Sequence, residues 1–218
     1  MSTVKRPDKR TERSRQTRDK VVAAARELFL DQGYATTNLQ DVAARAGVAV
    51  QTIYFVFGNK RTLFKAVVDD TIAGDSAPVA TMDRRWFRSA VATQTADEQL
   101  RAHVRGTRKI LDRVAPMMAV IAAASDADPD IAADWNHAED PRYTVQRAAA
   151  ASLVGKPDAR PGVSATRAAD LLYGLLSPEL YLVFVRERGW TPAAFERWAY
   201  ATLRGQLCAD PAAADGAD

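Results

Sequence analysis

The chain of 218 residues is long enough for one large domain or two smaller ones, and 47% of its residues are hydrophobic, so it can bury a substantial core. Its 11 glycines and 10 prolines are too few for a disordered or fibrous chain, and its single cysteine excludes a disulfide framework. The net charge of +3 conceals an asymmetry, because residues 1–65 hold 13 Lys and Arg against 6 Asp and Glu. A basic N-terminal third favours a module that binds a polyanion, although a solvated basic tail fits the charge about equally well.

The sequence gives no sign of a membrane protein. No apolar run approaches the roughly 18 residues that span a bilayer, and the charged N-terminus lacks the apolar core of a secretory signal. We therefore expect a soluble, cytoplasmic protein with no membrane partner. Cys208 is interpreted as a bystander near a fraying end, with an intermolecular or redox role as the alternative.

The N-terminal third is predicted to hold a disordered arm followed by four helices. Residues 1–14 are polar, basic and without periodicity, which indicates the arm. The spacing of apolar residues after them predicts helices over 14–32, 38–46, 49–56 and 60–73. Gly47 is placed to end the second helix and Asn59 to cap the fourth. Thr37 and Gln40 have the spacing of a capping box for the second helix.

The remainder of the chain is predicted to be helical as well. The expected helices cover residues 97–114, a segment started or kinked at Pro116, 141–153, 164–188 with a bend at Pro178, and 192–207. Asp140 and Thr191 each precede a proline, which is a usual way to begin a helix. Neither strand-like alternation nor an internal repeat is visible in the sequence. The fold class is therefore predicted to be all-α, with about nine helices.

The second and third helices have the form of a helix-turn-helix, two short helices joined by a turn that contains glycine. Because helices this short are marginal alone, the first helix must close a small core with them. The expected core residues are Phe29, Leu39, Val42, Ile53 and Phe57. If Ile53 and Phe57 face this core, the other residues of the third helix cannot all point inward, and some of them can face a DNA groove.

The outward residues of this segment have the chemistry of DNA contacts. Gln51 and Thr52 suit base edges or phosphates in a major groove, and Val50 can touch a thymine methyl group. The Tyr54 hydroxyl can reach a phosphate, and Lys60 can add another at a helix N-terminus, where free N–H groups favour an anion. Each residue has an ordinary alternative, since Tyr54 and the residue after it can pack on neighbours and an isolated lysine is usually a surface residue. The joint spacing favours DNA binding.

The stretch "LFLDQGYATTNLQDVAARAGVAVQTIYFVFGNKRTLFKAV", residues 28–67, resembles the N-terminal DNA-binding domain of TetR-family transcriptional regulators. The residues that match the family pattern are Phe29, Gly33, Thr37, Val42, Ala43, Ala46, Gly47, Val48, Ile53, Tyr54, Phe57, Lys60 and Leu63. The resemblance implies that DNA is contacted by Thr37, Gln40, Val50, Gln51, Thr52, Tyr54 and Lys60. Two residues depart from the pattern: Ala49 stands where a capping serine is usual, and Val56 where Tyr or His is common.

The same resemblance implies that a second domain binds a small effector and dimerises through the last two helices. The stretch "AADLLYGLLSPELYLVFVRERG", residues 168–189, is apolar on almost every face, which suits a helix buried by its own core and by a partner subunit. The expected interface residues are Leu172, Leu176, Leu180, Phe184, Trp198 and Leu203. A twofold dimer presents two reading helices to successive major-groove faces and predicts a palindromic operator.

An effector site is indicated only by apolar and aromatic residues of the second domain. The candidate lining residues are Met117, Met118, Ile121, Trp135, Tyr143, Tyr173 and Leu176. Ordinary core packing is the more common role for such residues, although adjacent methionines adapt well to an irregular, mostly apolar ligand. His103, interpreted as a helix-face residue, and His137, interpreted as a loop residue, lack companions at metal-ligand spacing. Neither a metal nor a cofactor is expected.

Together these features predict a homodimeric DNA-binding transcriptional regulator, a repressor released from a palindromic operator by a small, mostly apolar effector. No nucleophile elbow, glycine-rich phosphate loop or metal motif is present in the sequence, so no catalytic residues are expected. A DNA-architectural protein without a small ligand is the remaining alternative. The predicted organisation is a disordered arm (1–14), a helix-turn-helix domain with its linking fourth helix (15–73), an effector and dimerisation domain (74–208) and a flexible tail (209–218).

Overall fold

The computed structural model describes residues 9–73, 80–135 and 140–209, apart from the side chains of residues 9–11, 73 and 135. Within these ranges every regular element is a helix, so the predicted all-α fold is confirmed. The helices are α1 (Lys9–Thr36), α2 (Leu39–Ala46), α3 (Val50–Phe57), α4 (Lys60–Ala73), α5 (Arg85–Val91), α6 (Ala96–Ala127), α7 (Pro129–Trp135), α8 (Pro141–Val154), α9 (Ala165–Leu175), α10 (Pro178–Leu182) and α11 (Pro192–Leu207), with a 3₁₀ turn at Thr81–Asp83 and a π turn at Val183–Glu187.

The chain forms two compact units. Unit 1 contains α1 to α4 together with the segment Met117–Trp135, and unit 2 contains the segment Ala73–Pro116 and the residues from Asp140 onward. The segment Met117–Trp135 was assigned from sequence to the second domain. The division within α6 falls at Pro116, whose ring nitrogen cannot donate a hydrogen bond to the preceding turn.

The first helix begins earlier than the sequence predicted. α1 starts at Lys9, so residues 9–14 are helical, although they were predicted to belong to a disordered arm. Residues 1–8 lie outside the described residues. At Gly33 the backbone leaves helical geometry, with φ 83° and ψ 169°, a region that only glycine adopts without strain. The predicted helix end at Gly33 therefore corresponds to a break within α1.

The start of α2 is capped by a different residue from the one predicted. Asn38 Oδ1 accepts a hydrogen bond from the backbone N–H three residues later at 2.8 Å. The Thr37 hydroxyl instead donates to the carbonyl of Gly33 at 2.8 Å and accepts from Gln32 Nε2 at 3.2 Å. The capping box predicted from Thr37 is therefore wrong. The helix still begins where expected, because asparagine is as good an N-cap as threonine.

The core of unit 1 is the predicted one, extended by a further layer. All five predicted residues, from Phe29 to Phe57, are buried. α4 adds Phe64, whose ring meets that of Phe29 edge-on with centroids 5.0 Å apart, and the cluster continues to Met117 and Ile131. The core beneath the helix-turn-helix thus includes residues from outside α1, α2 and α3.

In the second half of the chain the predicted caps are confirmed, but one helix limit is wrong. Asp140 and Thr191 cap α8 and α11 by accepting from backbone N–H groups at 2.8 and 3.2 Å. α6 continues through Pro116, although it was expected to end at about residue 114. The helix predicted over 164–188 with a bend at Pro178 is interrupted at that point, where Ser177 accepts from a backbone N–H at 3.1 Å and α10 begins at Pro178.

The segment Ala165–Glu187 is strongly apolar, although polar residues interrupt it and no uninterrupted apolar run of membrane-spanning length was found in the sequence. Its most apolar window of 18 residues has a mean hydropathy of 1.4, high enough for a membrane span by length and composition alone. Its inner side packs in the core of unit 2, where Leu172 and Tyr181 are buried. Several of its other apolar residues, among them Leu180 and Phe184, are half-buried, and Val183 is 38% exposed.

His103, interpreted from the sequence as a helix-face residue, lies on the face of α6 that is buried in unit 2. The side chain is 1% exposed, and its Nε2–H donates to Gln146 Oε1 at 2.7 Å. The rings of Trp86 and Phe87 lie 6.0 and 6.1 Å from the imidazole. His103 Nδ1 has no hydrogen-bond partner among the described residues. Burial lowers the pKa of His103, and His137 lies outside the described residues.

Titration of His103 gives a prediction for stability. Because the folded state binds this proton less readily than the unfolded chain, the free energy of unfolding falls as pH drops below about 6.5. We expect a slope of at most about 1.4 kcal/mol per pH unit, measured by urea unfolding between pH 7 and pH 5. His103→Gln should flatten that slope, whereas His137→Gln, the matched control, leaves the buried imidazole in place. Equal slopes in wild type and His103→Gln would refute this assignment.

Candidate nucleic-acid interface

A tight turn at Gly47 sets the direction of α3. Gly47 has φ 68° and ψ 38°, the left-handed conformation that side chains oppose, and its N–H closes the last turn of α2 on the carbonyls of Ala43 and Ala44. Val48 N–H adds a bond to the Ala43 carbonyl at 3.1 Å. Ala49 then stands at the N-cap of α3 and has no side-chain oxygen to offer. α3 therefore depends on packing for its position.

Only two residues of α3 are buried, and they fix which side faces outward. Ile53 and Phe57 enter the core of unit 1. Since each residue turns a helix by about 100°, Gln51 and Phe55 lie on the opposite side. Tyr54 lies on one flank of that outward side, whereas Val50 lies toward the core of unit 1 and packs against it. The predicted DNA-contacting segment is thus not sealed inside the molecule.

The exposure of α3 increases toward its C-terminal half. Val50 and Thr52 are half-buried and Gln51 is exposed. Tyr54 is 50% exposed, and Phe55, for which packing on neighbours was the ordinary alternative, is 91% exposed. The exposure of Phe55 could have been predicted from the sequence. It stands two residues from each of the core residues Ile53 and Phe57, and on a helix that spacing places it on the side away from them.

The two predicted contact residues near α2 lie in different environments. Gln40 is exposed in the first turn of α2. Thr37 is buried, and both hydrogen bonds of its hydroxyl remain within unit 1. Its predicted contact with DNA stays a prediction, and the structure gives this hydroxyl a role in joining α1 to α2.

Lys60 is held at the junction of α1 and α4. Its Nζ donates to the Ala35 carbonyl at 3.2 Å and lies 4.3 Å from the centre of the Tyr34 ring. Partial burial lowers the pKa of Lys60. Asn59 Oδ1 caps the same helix start by accepting from Thr62 N–H at 2.8 Å, as predicted. The ammonium group therefore has a fixed position beside the N-terminus of α4.

Two arginines of unit 1 differ in whether the guanidinium group is already held by carboxylates. Arg18 of α1 is exposed, and its guanidinium lies 5.5 Å from the centre of the Phe57 ring, at the C-terminal end of α3. Arg61 of α4 is engaged with α7, where it donates to both carboxylate oxygens of Asp134 and lies 3.2 Å from Asp130. That hydrogen bonding holds the pKa of the Asp134 carboxyl below its usual range. Sequence patterns identified neither arginine.

The candidate effector residues fall into both units. Met117 and Ile121 are buried in the core of unit 1, and Met118 packs against that core. In unit 2 the rings of Tyr143 and Tyr173 meet edge-on at 5.3 Å, and Leu176 is buried in the core. The side chain of Trp135 lies outside the described residues, and the effector role of this set stays a prediction.

The hydroxyls of the two tyrosines are already engaged. Tyr143 donates to Asp170 at 2.8 Å, and Tyr173 donates to Asp140 at 2.5 Å. Arg142 stacks over the Tyr173 ring at 3.5 Å. These contacts form a polar network that ties α8 to α9.

The predicted interface residues differ in the surface they offer. Leu172, Leu176 and Leu203 are fully buried in unit 2 and have no exposed surface for a partner. The half-buried members are Leu180, Phe184 and Trp198. The rings of Phe184 and Trp198 lie 4.7 Å apart, and Val183 beside them is 38% exposed.

Metal-binding and reactive side chains are the remaining candidates for chemistry among the described residues. In that part of the chain no group of three or more His, Cys, Asp and Glu side chains is placed to hold a metal ion. Cys208, expected near a fraying end, is buried in unit 2. Its backbone forms an isolated antiparallel β-bridge with that of Ala159. Burial raises the pKa of this thiol to about 11, so it is protonated at neutral pH.

Comparison with known proteins identifies the N-terminal part of the chain. Residues 21–67 match the family model of bacterial regulatory proteins, tetR family. The chain is 39% identical over 59 residues to YezE of Bacillus subtilis (strain 168), an uncharacterized HTH-type transcriptional regulator. It is 34% identical over 80 residues to FasR of Mycolicibacterium smegmatis, an HTH-type transcriptional activator. These alignments cover 27% and 34% of this chain and 30% and 36% of the relatives, so the chain spans about a third of the length of the curated relatives it matches.

Similarity of fold extends further along the chain. The crystal structure of the transcriptional regulator FadR from Bacillus subtilis, in complex with stearoyl-CoA, aligns with a TM-score of 0.65. The alignment covers 85% of this chain and 96% of that one. Since the sequences are 15% identical, this likeness concerns the fold alone.

Proposed function

Since the chain belongs to the tetR family of bacterial regulatory proteins through its helix-turn-helix domain, we propose that it is a homodimeric transcriptional regulator that binds double-stranded DNA. It represses transcription from a palindromic operator and is released by a small, mostly apolar effector. It acts in the cytoplasm, catalyses no reaction and needs no cofactor.

The outward face of α3 carries this function. Burial of Ile53 and Phe57 leaves Gln51, Thr52 and Tyr54 at the surface of an eight-residue helix without a charged side chain. A glutamine amide can form two hydrogen bonds with an adenine edge, and hydroxyls reach either bases or phosphates. Such a set suits the major groove, which admits a single helix and presents a distinct pattern for every base pair.

The apolar stretch Ala165–Glu187 supports a homodimer, because several of its apolar side chains stay partly exposed after packing on unit 2. A twofold partner would cover these side chains and would place two copies of α3 at a fixed spacing, which matches two half-sites of a palindrome. The half-buried Phe184 and Trp198 and the exposed Val183 are the residues that would meet the partner.

Release by an effector is supported by the fold. The FadR structure of similar fold contains stearoyl-CoA, a ligand with a long apolar chain. FasR, the relative matched over 80 residues, is described as an activator, so the sign of regulation differs among the relatives. We propose repression, the usual outcome in the family, with an apolar effector that binds the free and DNA-bound forms unequally.

Binding to DNA is tested with full-length protein and a duplex selected from a random pool. Gln51→Ala should weaken binding by about 1–3 kcal/mol, because an adenine or guanine edge loses its partner. Gln94→Ala, an exposed glutamine of unit 2, is the matched control and should bind like wild type. Fluorescence anisotropy at about 50 and 200 mM salt should show a steep loss of affinity. Salt-insensitive binding, or a selected sequence without twofold symmetry, would count against this function.

Dimerisation is tested by placing a charge on the uncovered apolar surface. Val183→Glu should shift the chain from dimer to monomer in sedimentation velocity, since an unpaired carboxylate is costly to bury. Met82→Glu is the matched control, because Met82 is 37% exposed in a different element of unit 2. A wild-type chain that sediments as a monomer would remove the homodimer from the proposed function.

The effector is tested by thermal shift with stearoyl-CoA, free stearic acid and coenzyme A. We expect a ligand with the apolar chain to raise Tm and to weaken operator binding about 5–150-fold, whereas coenzyme A alone has no effect. If neither acyl ligand changes Tm or DNA affinity, the long-chain apolar class is excluded and the architectural alternative gains support.

A further inference from the structure

Three consecutive apolar side chains of α3 lie at the surface. Tyr54, Phe55 and Val56 are 50%, 91% and 36% exposed. Single exposed hydrophobic residues are ordinary, but a consecutive run is an aggregation hazard that a folded protein retains where it contacts a partner. Phe55 is the extreme case, since almost its whole ring is in water.

Phe55 occupies the outermost position of the helix. With about 100° between successive residues, it lies opposite the midpoint of Ile53 and Phe57, the two residues that anchor α3. Gln51, four residues earlier, lies within about 40° of the same direction. If α3 enters a groove, Phe55 and Gln51 approach the floor of that groove first, and Tyr54 faces one wall.

The charges around α3 favour a polyanion over an apolar protein surface as the occupant. α3 itself has no charged residue, whereas Arg18 lies beside Phe57 and Lys60 follows the helix within three residues. Positive groups at the margins and an apolar and amide surface in the centre are complementary to DNA, where phosphates flank the base edges. The apolar feature on the major-groove edge of the bases is the 5-methyl group of thymine.

From this placement we propose that Phe55 reads thymine by packing its ring against the 5-methyl group in the major groove. This inference rests on the proposed function and adds to it a specificity-determining residue at each half-site. Val50, which the sequence favoured for a thymine contact, is half-buried and packs against the core of unit 1. The ring of Phe55 offers more free apolar surface at the centre of the face.

The experiment removes methyl groups from the DNA without changing its hydrogen-bonding groups. The duplex selected by the wild-type protein is prepared once with thymine and once with uracil in every thymine position. We expect uracil to weaken wild-type binding about fourfold for each methyl group contacted, the effect of one methylene-sized apolar group leaving water. Phe55→Ala should bind both duplexes equally and no more tightly than wild type binds the uracil duplex.

Two further variants distinguish a thymine contact by Phe55 from one by Val50. Phe55→Leu should keep part of the preference for thymine, because it retains apolar surface at the same position. Val50→Ala should keep the full preference. If the preference disappears in Val50→Ala and persists in Phe55→Ala, the assignment to Phe55 is overturned. Folding is checked by circular dichroism, and the exposure of Phe55 leaves no reason for its variants to unfold.

Two further outcomes are distinguishable from these. If wild type selects a sequence but binds thymine and uracil duplexes alike, this inference fails and the proposed function survives. If wild type selects no sequence at all, both fail. Sedimentation of the free protein addresses the other possible occupant, since a change of oligomeric state in Phe55→Ala would identify Phe55 as a contact between copies and overturn the assignment.

Discussion

Everything proposed for the surface of α3 depends on the burial of Ile53 and Phe57. α3 has eight residues and no side-chain cap, so it is marginal as an isolated helix. Fully burying an aliphatic or aromatic side chain contributes about 1.5–3 kcal/mol, and two such side chains on one stripe determine the rotation of the helix. A change in which residues face inward would turn Gln51 and Phe55 away from solvent together. The outward chemistry is thus a consequence of the inward packing.

The same core reaches beyond the helix-turn-helix. Phe64 packs against both Phe29 and Tyr34, with ring centroids 5.0 and 4.8 Å apart, and the cluster continues to Met117 and Ile131. Close-packed cores transmit small displacements, because they have few voids to absorb them. Since α6 contributes residues to both compact units, its C-terminal part belongs to the scaffold that orients the reading helix.

Local patterns were sufficient for most of the fold. Periodicity located α2, α3 and α4, and the caps at Asn59 and Asp140 were found because a cap needs only a few adjacent residues. A feature that depends on distant partners was missed, since His103 is buried through contacts with α5 and α8. The capping role of Thr37 was misassigned for a local reason, because its hydroxyl bonds back to Gln32 and Gly33 of α1. At the candidate site, the chemistry of the residues on α3 could be predicted from the sequence. The extent to which Tyr54 and Phe55 are exposed could not, because it depends on how α3 packs on the core of unit 1.

The distribution of charge around α3 indicates how affinity and selectivity would be divided in the proposed complex. The cations lie outside the helix: Lys60 is fixed against the Tyr34 ring, and Arg18 lies beside Phe57. Contacts from such groups to phosphates are nearly independent of sequence and weaken with salt. The centre of the helix offers an amide, a hydroxyl and apolar rings, whose partners are base edges and methyl groups. An uncharged reading surface adds little to non-specific binding, so discrimination between sequences falls to α3 while the flanking helices supply attraction to any duplex.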